Sequence, residues 1–243
     1  MTGQEGQRLD QWAEYAQRRG VQVDTKILYG TPFLEIIRLV LHRDHDLVMT
    51  TAQGRSNLMD RVFGSTTMHL MRKCPCPVWL IKPQAPASYR HIMAAVDVDN
   101  SYPPAELESQ RILNQQILEM ASSLALSNFA ELHIVHAWTA VGESTMRGAL
   151  MSAPEEQVID YVERIRKQRQ TNLDRLIREV SDTTLRDVAD YLKPETHLVK
   201  GHARKVIPAL AKLIDADLVV MGTVARTGIP GFIMGNTAET ILN

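Results

Sequence analysis

The sequence predicts an α/β protein in which helices flank a parallel sheet and the basic unit occurs twice. Three observations carry that reading. Short apolar runs of strand length alternate with amphipathic stretches of helical spacing. Glycine or proline punctuates the junctions between them. Finally, the two halves of the chain fall into one ungapped register at an offset of 171 residues, as from Gly30 to Gly201.

In that register Ile36 falls on Ile207, Leu39 on Leu210 and Asp44 on Asp215. Asp46, Leu47 and Val48 fall on Asp217, Leu218 and Val219, Arg55 on Arg226, Gly64 on Gly235 and Thr66 on Thr237. Duplication explains an ungapped match of this length; the competing explanation is that any two βα units share apolar strands and glycine turns.

Each copy contains an extended, β-rich run (Val21–Tyr29; Glu195–Lys200), a glycine, and then an amphipathic helix. The helix carries Phe33, Ile36, Ile37, Val40 and Leu41 in the first copy, and Val206, Ile207, Leu210, Leu213 and Ile214 in the second. Pro32 suits a first helical turn. The apolar runs Leu47–Met49 and Leu218–Met221 that follow have the pattern of strands covered on both faces. A loop then leads to Gly64 or Gly235, each opening another helix, and the first copy continues into a strand at Val78–Ile81. Between the copies, Lys82–Tyr89 has the composition of a linker. Ile92–Val98 is a strand ending near Asp97, Leu107–Leu126 a helix, Leu132–Trp138 a strand and Glu155–Val180 a long charged helix. Alternating βαβα implies a parallel sheet between helices. Pro103-Pro104 and Val141–Ala153 are expected to be flexible.

These assignments give two domains: 1–82, the later part of one copy, and 91–243, a second copy without its last strand. Strands at 92–98 and 132–138 have no first-copy counterparts, and the register sends Val78–Ile81 to positions 249–252, past Asn243. The expectation is a chain cut at both ends, with roughly 80 residues preceding Met1 in the parent. Val21–Tyr29 is then expected to lack neighbours, because the first two strands of a doubly wound sheet sit centrally.

Bulk properties narrow the function. With 27 basic and 28 acidic residues the formal net charge is -1, which gives no electrostatic ground for a nucleic-acid or anionic-membrane partner. The apolar runs are too short to span a bilayer. Cys74 and Cys76 are separated by one residue, where a mutual disulfide would be strained, and a reducing cytoplasm is their expected location. His42 and His45 lie at a helix end, where histidine is favoured without a metal. His133 and His136, three apart on a strand, should point to opposite faces. Arg164–Arg169 is expected on a solvated helix face, and no Ser-His-Asp order or paired-carboxylate arrangement stands out.

The sharpest chemical signal follows the strand Leu218–Met221: Gly222-Thr223-Val224-Ala225-Arg226-Thr227-Gly228, then Gly235-Asn236-Thr237 at a helix start. Glycines let backbone N–H groups approach phosphate oxygens, and a helix N-terminus adds unpaired donors and a favourable dipole. The first copy has Thr51, Gly54, Gly64 and Ser65 at the matching places. These loops resemble the nucleotide loop of the universal stress protein family, written Gly-x2-Gly-x9-Gly-Ser/Thr. The second copy keeps Gly222 and Gly235 with Ala225 and Asn236 at the other two positions; the first has Thr51 at the first glycine. Arg72-Lys73-Cys74-Pro75-Cys76-Pro77-Val78-Trp79 resembles the family's approach to its last strand, and Gly235-Asn236-Thr237-Ala238-Glu239 resembles the tandem E-type members.

The resemblance implies a doubly wound, parallel, five-stranded sheet of the adenine nucleotide α-hydrolase-like type. It implies ATP or a related adenine nucleotide as ligand, with Asp97, Gly222, Thr223, Arg226, Gly228, Gly235, Asn236 and Thr237 as binding residues. Asp97 matches the family aspartate near adenine and ribose, and a turn-forming or helix-capping role beside Asp99, Asn100 and Ser101 is its alternative. The resemblance also implies an intramolecular pseudo-dimer, open to homo-oligomerisation, and a cytoplasmic sensing or adaptor role in stress adaptation. Catalysis is expected to be absent or limited to weak ATP hydrolysis. The alternative is a nucleotide-free interaction scaffold.

Overall fold

The computed structural model describes residues 2–51, 65–148, 151–183 and 192–223. The chain divides into two compact units with a boundary between Ile81 and Lys82. In the first unit, α1 (Thr2–Gln17) precedes α2 (Pro32–Arg43), β1 (Val48–Thr51), α3 (Ser65–Lys73) and β2 (Val78–Ile81). β1 and β2 pair in parallel, with Val48 opposite Val78 and Thr51 opposite Ile81. Pro32 occupies the first turn of α2, where its missing N–H costs nothing. Cys74 and Cys76 remain free, their sulfurs 3.6 Å apart. Burial and the neighbouring Cys74 push the Cys76 thiol up to about 11.

The run Val21–Tyr29 forms no strand, which corrects the sequence expectation of a β element there. It carries the side-chain pattern of a strand, but no ladder reaches it among the described residues. Val21 and Tyr29 are exposed. α1 went unread in the sequence because its apolar residues are few; Trp12 and Tyr15 are themselves exposed.

The second unit contains β3 (His91–Ala95), α4 (Pro104–Asn128), β4 (Glu131–Trp138), α5 (Glu143–Arg147), α6 (Glu155–Thr183), β5 (Glu195–Lys200), α7 (Ala203–Leu213) and β6 (Leu218–Met221). The four strands are ordered β5-β4-β3-β6, every neighbouring pair parallel. Side chains alternate across this sheet and build two cores. Ile92, Ala94, Val96, Leu132 and Ile134 pack with Ile117, Leu118 and Ala121 of α4 and with Leu173 and Leu176 of α6. Met93, Ala95 and Val135 face the other way, onto Ile207 and Leu210 of α7. β3 and β4 read as nearly unbroken apolar runs because both of their faces are covered. Each fully buried Ile or Leu side chain contributes about 1.5–3 kcal/mol through area removed from water.

Two segments expected to be flexible are partly ordered. Pro104 opens α4, and within 141–153 the chain forms α5, where Glu143 pairs with Lys200 of β5 at 2.7 Å. The register of the sequence also appears in the backbone. Gly30 and Gly201 both have positive φ (131° and 144°), and Asp44 and Asp215 are both left-handed (50° and 49°). A left-handed residue at a helix end frees the chain to turn toward the following strand, and aspartate tolerates that conformation better than most side chains.

Candidate functional site

The strand order creates a crevice. β3 lies between β4 and β6, so the chain leaves β3 toward one side of the sheet and arrives at β6 from the other. The faces taken by α4 and α7 are correspondingly opposite. In such sheets the connections diverge outside the carboxyl ends of the two central strands, and ligands bind where they part. Ala95 of β3 is level with Met221 of β6. Asp97 therefore stands two residues beyond one strand end and Gly222 immediately beyond its neighbour.

The Asp97 loop is held from three elements. From α4, Asn114 donates through Nδ2 to the Asp97 carbonyl (2.6 Å) and accepts the Asp97 amide at Oδ1 (3.0 Å). Gln110, one helical turn earlier, donates to the same carbonyl and lies 3.3 Å from Asp97 Oδ1. From α6, Asn172 donates to the Val98 carbonyl at 3.0 Å, and Arg169 pairs with Asp99 at 2.8 Å and donates to Asn100 at 3.0 Å. From β4, His136 places Nδ1 3.2 Å from the Val96 carbonyl and 3.4 Å from the Val98 amide. The Asp97 carboxylate accepts the Asp99 amide at 2.9 Å, and Asp99 accepts the Ser101 amide at 2.8 Å. The turn-forming role of Asp97 is thus observed, and two such turns in succession shape the loop.

These contacts set the charge states. Burial works against ionised Asp99, but hydrogen bonds from Ser101 and the Arg169 guanidinium hold its carboxyl below the usual range. His136 is pushed down, chiefly by burial, although the carboxylate of Asp97 pulls the other way. A neutral imidazole beneath the loop and a fixed carboxylate–guanidinium pair beside it result. Next to them, between α4 and α6, a cleft of about 430 Å³ is lined by Asp97, Asp99, Asn100, Gln110 and Arg175, among others.

Gly222 has a packing role that the sequence did not suggest. A Cβ there would come within 2.8 Å of Leu113 Cδ2, so the backbone leaving β6 runs close against α4. Its φ is not in the left-handed region. Thr223 follows, half-buried. Of the sequence-derived binding set, the structure therefore brings Asp97, Gly222 and Thr223 to the ends of adjacent strands. Arg226, Gly228, Gly235, Asn236 and Thr237 lie outside the described residues, as do Gly54 and Gly64 of the first copy.

One sequence expectation is overturned. Arg169 is not part of a solvated face: its side chain is 7% exposed and paired with Asp99. Sequence reasoning also passed over Gln110, Asn114 and Asn172, and it placed His136 on the opposite face from His133 without assigning it to the loop. A signal was present, since Gln110 and Asn114 are four apart and continue into the buried Ile117 and Leu118, as Arg169 and Asn172 continue into Leu173 and Leu176. Buried polar residues on the amino-terminal side of an apolar helical stripe mark positions that something polar must satisfy.

Comparison with known proteins agrees with this architecture. The model of the universal stress protein family matches residues 2–82 and 88–243. The chain belongs to the universal stress protein family. It is 31% identical to universal stress protein E of Escherichia coli K12 over 97% of its own length and 69% of that protein's. The corresponding protein of Photorhabdus laumondii is 26% identical, over 100% of this chain and 73% of the relative. Among solved structures, a functionally unknown protein of Pseudomonas aeruginosa PAO1 superposes with TM-score 0.73 at 25% identity, covering 98% of this chain and 73% of the other. A universal stress protein from Archaeoglobus fulgidus shares the fold, with TM-score 0.59 at 19% identity, over 99% and 74% of the two chains. Membership of the universal stress protein family places this chain in the stress response. Among the described residues, no helix is long and apolar enough to cross a membrane.

Proposed function

We propose that this universal stress protein binds an adenine nucleotide, ATP or a relative of it, at the switch point of its second unit and acts as a sensor or adaptor. The observation that carries the proposal is the pairing of β3 with β6, which sets the Asp97 loop beside Gly222 and Thr223 at one crevice. In this reading Asp97 receives the ribose or base. Gly222, Thr223, Arg226 and Gly228, with Gly235, Asn236 and Thr237, receive the phosphates. The neutral His136 and the tied Asp99 keep the loop in place before a ligand arrives, so little ordering cost falls on binding.

The test is an ATP titration of the full chain followed by its melting transition. At a ligand concentration of about 100 times Kd, binding adds about 2.7 kcal/mol. Asp97→Ala is expected to abolish the shift, and Ala225→Gly to enlarge it by restoring the second glycine of the loop.

A second reading, an interaction scaffold without nucleotide, draws on a specific observation. The Asp97 carbonyl and carboxylate already have partners in Gln110, Asn114 and the Asp99 amide, so the loop holds its shape unaided. An unchanged melting temperature at millimolar ATP would select that reading.

A further inference from the structure

At the opposite end of the same sheet, where β4 and β5 begin, His133 and Glu195 lie level with each other and His197 follows two residues later. By the alternation of the strands, all three side chains fall on the α7 face. His133 Nδ1 is 3.1 Å from His197 Nε2 and 3.6 Å from Glu195 Oε2, and His197 Nε2 is 3.8 Å from Glu195 Oε1. We propose that His133, Glu195 and His197 form a binding site for a first-row divalent cation of the zinc class, with a fourth position open to solvent.

The spacing fits such an ion. Ligand bonds of about 2.0–2.1 Å at tetrahedral angles place donor atoms about 3.3–3.4 Å apart, within the observed spread of separations. Two imidazoles and one carboxylate also match the donor set of open zinc sites and disfavour magnesium or calcium, which take oxygen ligands. Exposure grades from His133 (6% for the side chain) through His197 (16%) to Glu195 (67%), so the site is anchored in the sheet and opens at the surface.

A hydrogen bond donated by His133 to His197 accounts for the cluster less well. His133 Nε2 is buried without a hydrogen-bond partner among the described residues, and the carboxylate of Glu131 stands 4.0 Å away. If His133 donates its one proton through Nδ1, its Nε2 is left a bare acceptor facing a carboxylate, at a cost. With a cation on Nδ1, His133 takes the tautomer that has its proton on Nε2, facing Glu131. That is the carboxylate–histidine–metal arrangement in which an outer carboxylate orients the ligand. His91 stands alongside, its ring centroid 6.2 Å from that of His133, with Nδ1 3.3 Å from the Asp215 carbonyl. It is thereby held just outside the three-donor set.

The experiment titrates Co²⁺ and Zn²⁺ into the metal-stripped full chain, reading the visible absorption of tetrahedral cobalt and the melting temperature. One saturating equivalent, displaced by Zn²⁺ and raising the melting temperature, is the expected result. Glu195→Gln combined with His197→Gln should remove both signals, and Glu195→Gln alone, at the exposed end of the cluster, should weaken binding while leaving the metal-free melting temperature unchanged. Glu131→Gln should weaken binding about 10–100-fold, and Cys74→Ser with Cys76→Ser should change nothing. No saturable uptake, or equal uptake by the double variant, would overturn the proposal. Nucleotide binding at the far end of the sheet can fail without affecting this outcome.

Discussion

Asp24–Tyr29 and Glu195–Lys200 occupy the same place in the repeat, yet only the second is a strand. Both precede a glycine of positive φ and an amphipathic helix. The difference is a neighbour. Glu195–Lys200 lies against β4 over six paired positions, from His133–Glu195 to Trp138–Lys200. No corresponding edge meets Asp24–Tyr29 among the described residues, and that run stays irregular. Strand propensity expresses fitness for a pleated, half-buried surface, and where no such surface is offered it organises nothing.

The comparison extends to the loops. In the second unit, polar side chains from α4, α6 and β4 converge on residues 96–100. Arg169 is the anchor with most at stake, because its removal takes the opposite charge away from Asp99 and leaves the Ser101 hydrogen bonds alone to hold that carboxylate. Arg169→Ala is expected to lower stability by about 3–5 kcal/mol, the range for breaking one side of a buried ion pair. Urea unfolding of the full chain would measure it. A loss under 1 kcal/mol would show that the loop is not tied to the core in this way.

The two glycines provide a sharper test of the same contrast. A Cβ on Gly201 would meet Val206 Cγ1 at 2.6 Å, and Gly201 continues the ladder by donating to the Trp138 carbonyl at 2.8 Å. A Cβ on Gly30 would meet the Glu35 carboxylate at 3.1 Å, the far end of a flexible side chain paired with the exposed Arg38 of the same helix. Gly201→Ala is expected to cost about 1–3 kcal/mol from backbone strain, with the Val206 clash in addition. Gly30→Ala should cost visibly less. Equal losses in paired unfolding experiments would mean that the β5 ladder adds nothing to the strain at its end.

How far the sequence reached follows from the same physics. The strands of the second unit and the helices packed on them were legible because covering both faces leaves continuous apolar runs, and covering one leaves a helical stripe. The absence of a strand at Val21–Tyr29 was not legible in those residues, since pairing depends on a partner elsewhere. Asp97 and Gly222 could be singled out from their loops. The frame around Asp97 could not, because Gln110, Asn114, Arg169 and Asn172 look like ordinary helix-surface residues until the fold turns them inward. The His133–Glu195–His197 cluster was hidden more deeply: its members lie 62 to 64 positions apart or two apart across a strand, and only the β4–β5 register joins them.

Protonation gives the smallest and most specific effect. His136 is held below its ordinary value chiefly by burial, and His133 is shifted the same way by burial and by the neighbouring His197. In the unfolded chain both titrate near pH 6.5. Above that pH the imidazoles are neutral in both states and contribute no slope. As pH falls below about 6.5, the unfolded chain takes up protons that the folded chain resists, so stability declines until the depressed folded values are reached. Each such site contributes at most about 1.4 kcal/mol per pH unit within that window. Unfolding free energies measured at intervals from pH 7.5 to 5 should therefore be flat and then fall. His136→Gln, which has no proton to gain, should reduce the acid-side slope and leave the share due to His133. A flat profile in the parent, or an unchanged slope in the variant, would mean that water reaches His136 and that the Asp97 loop does not rest on a neutral imidazole.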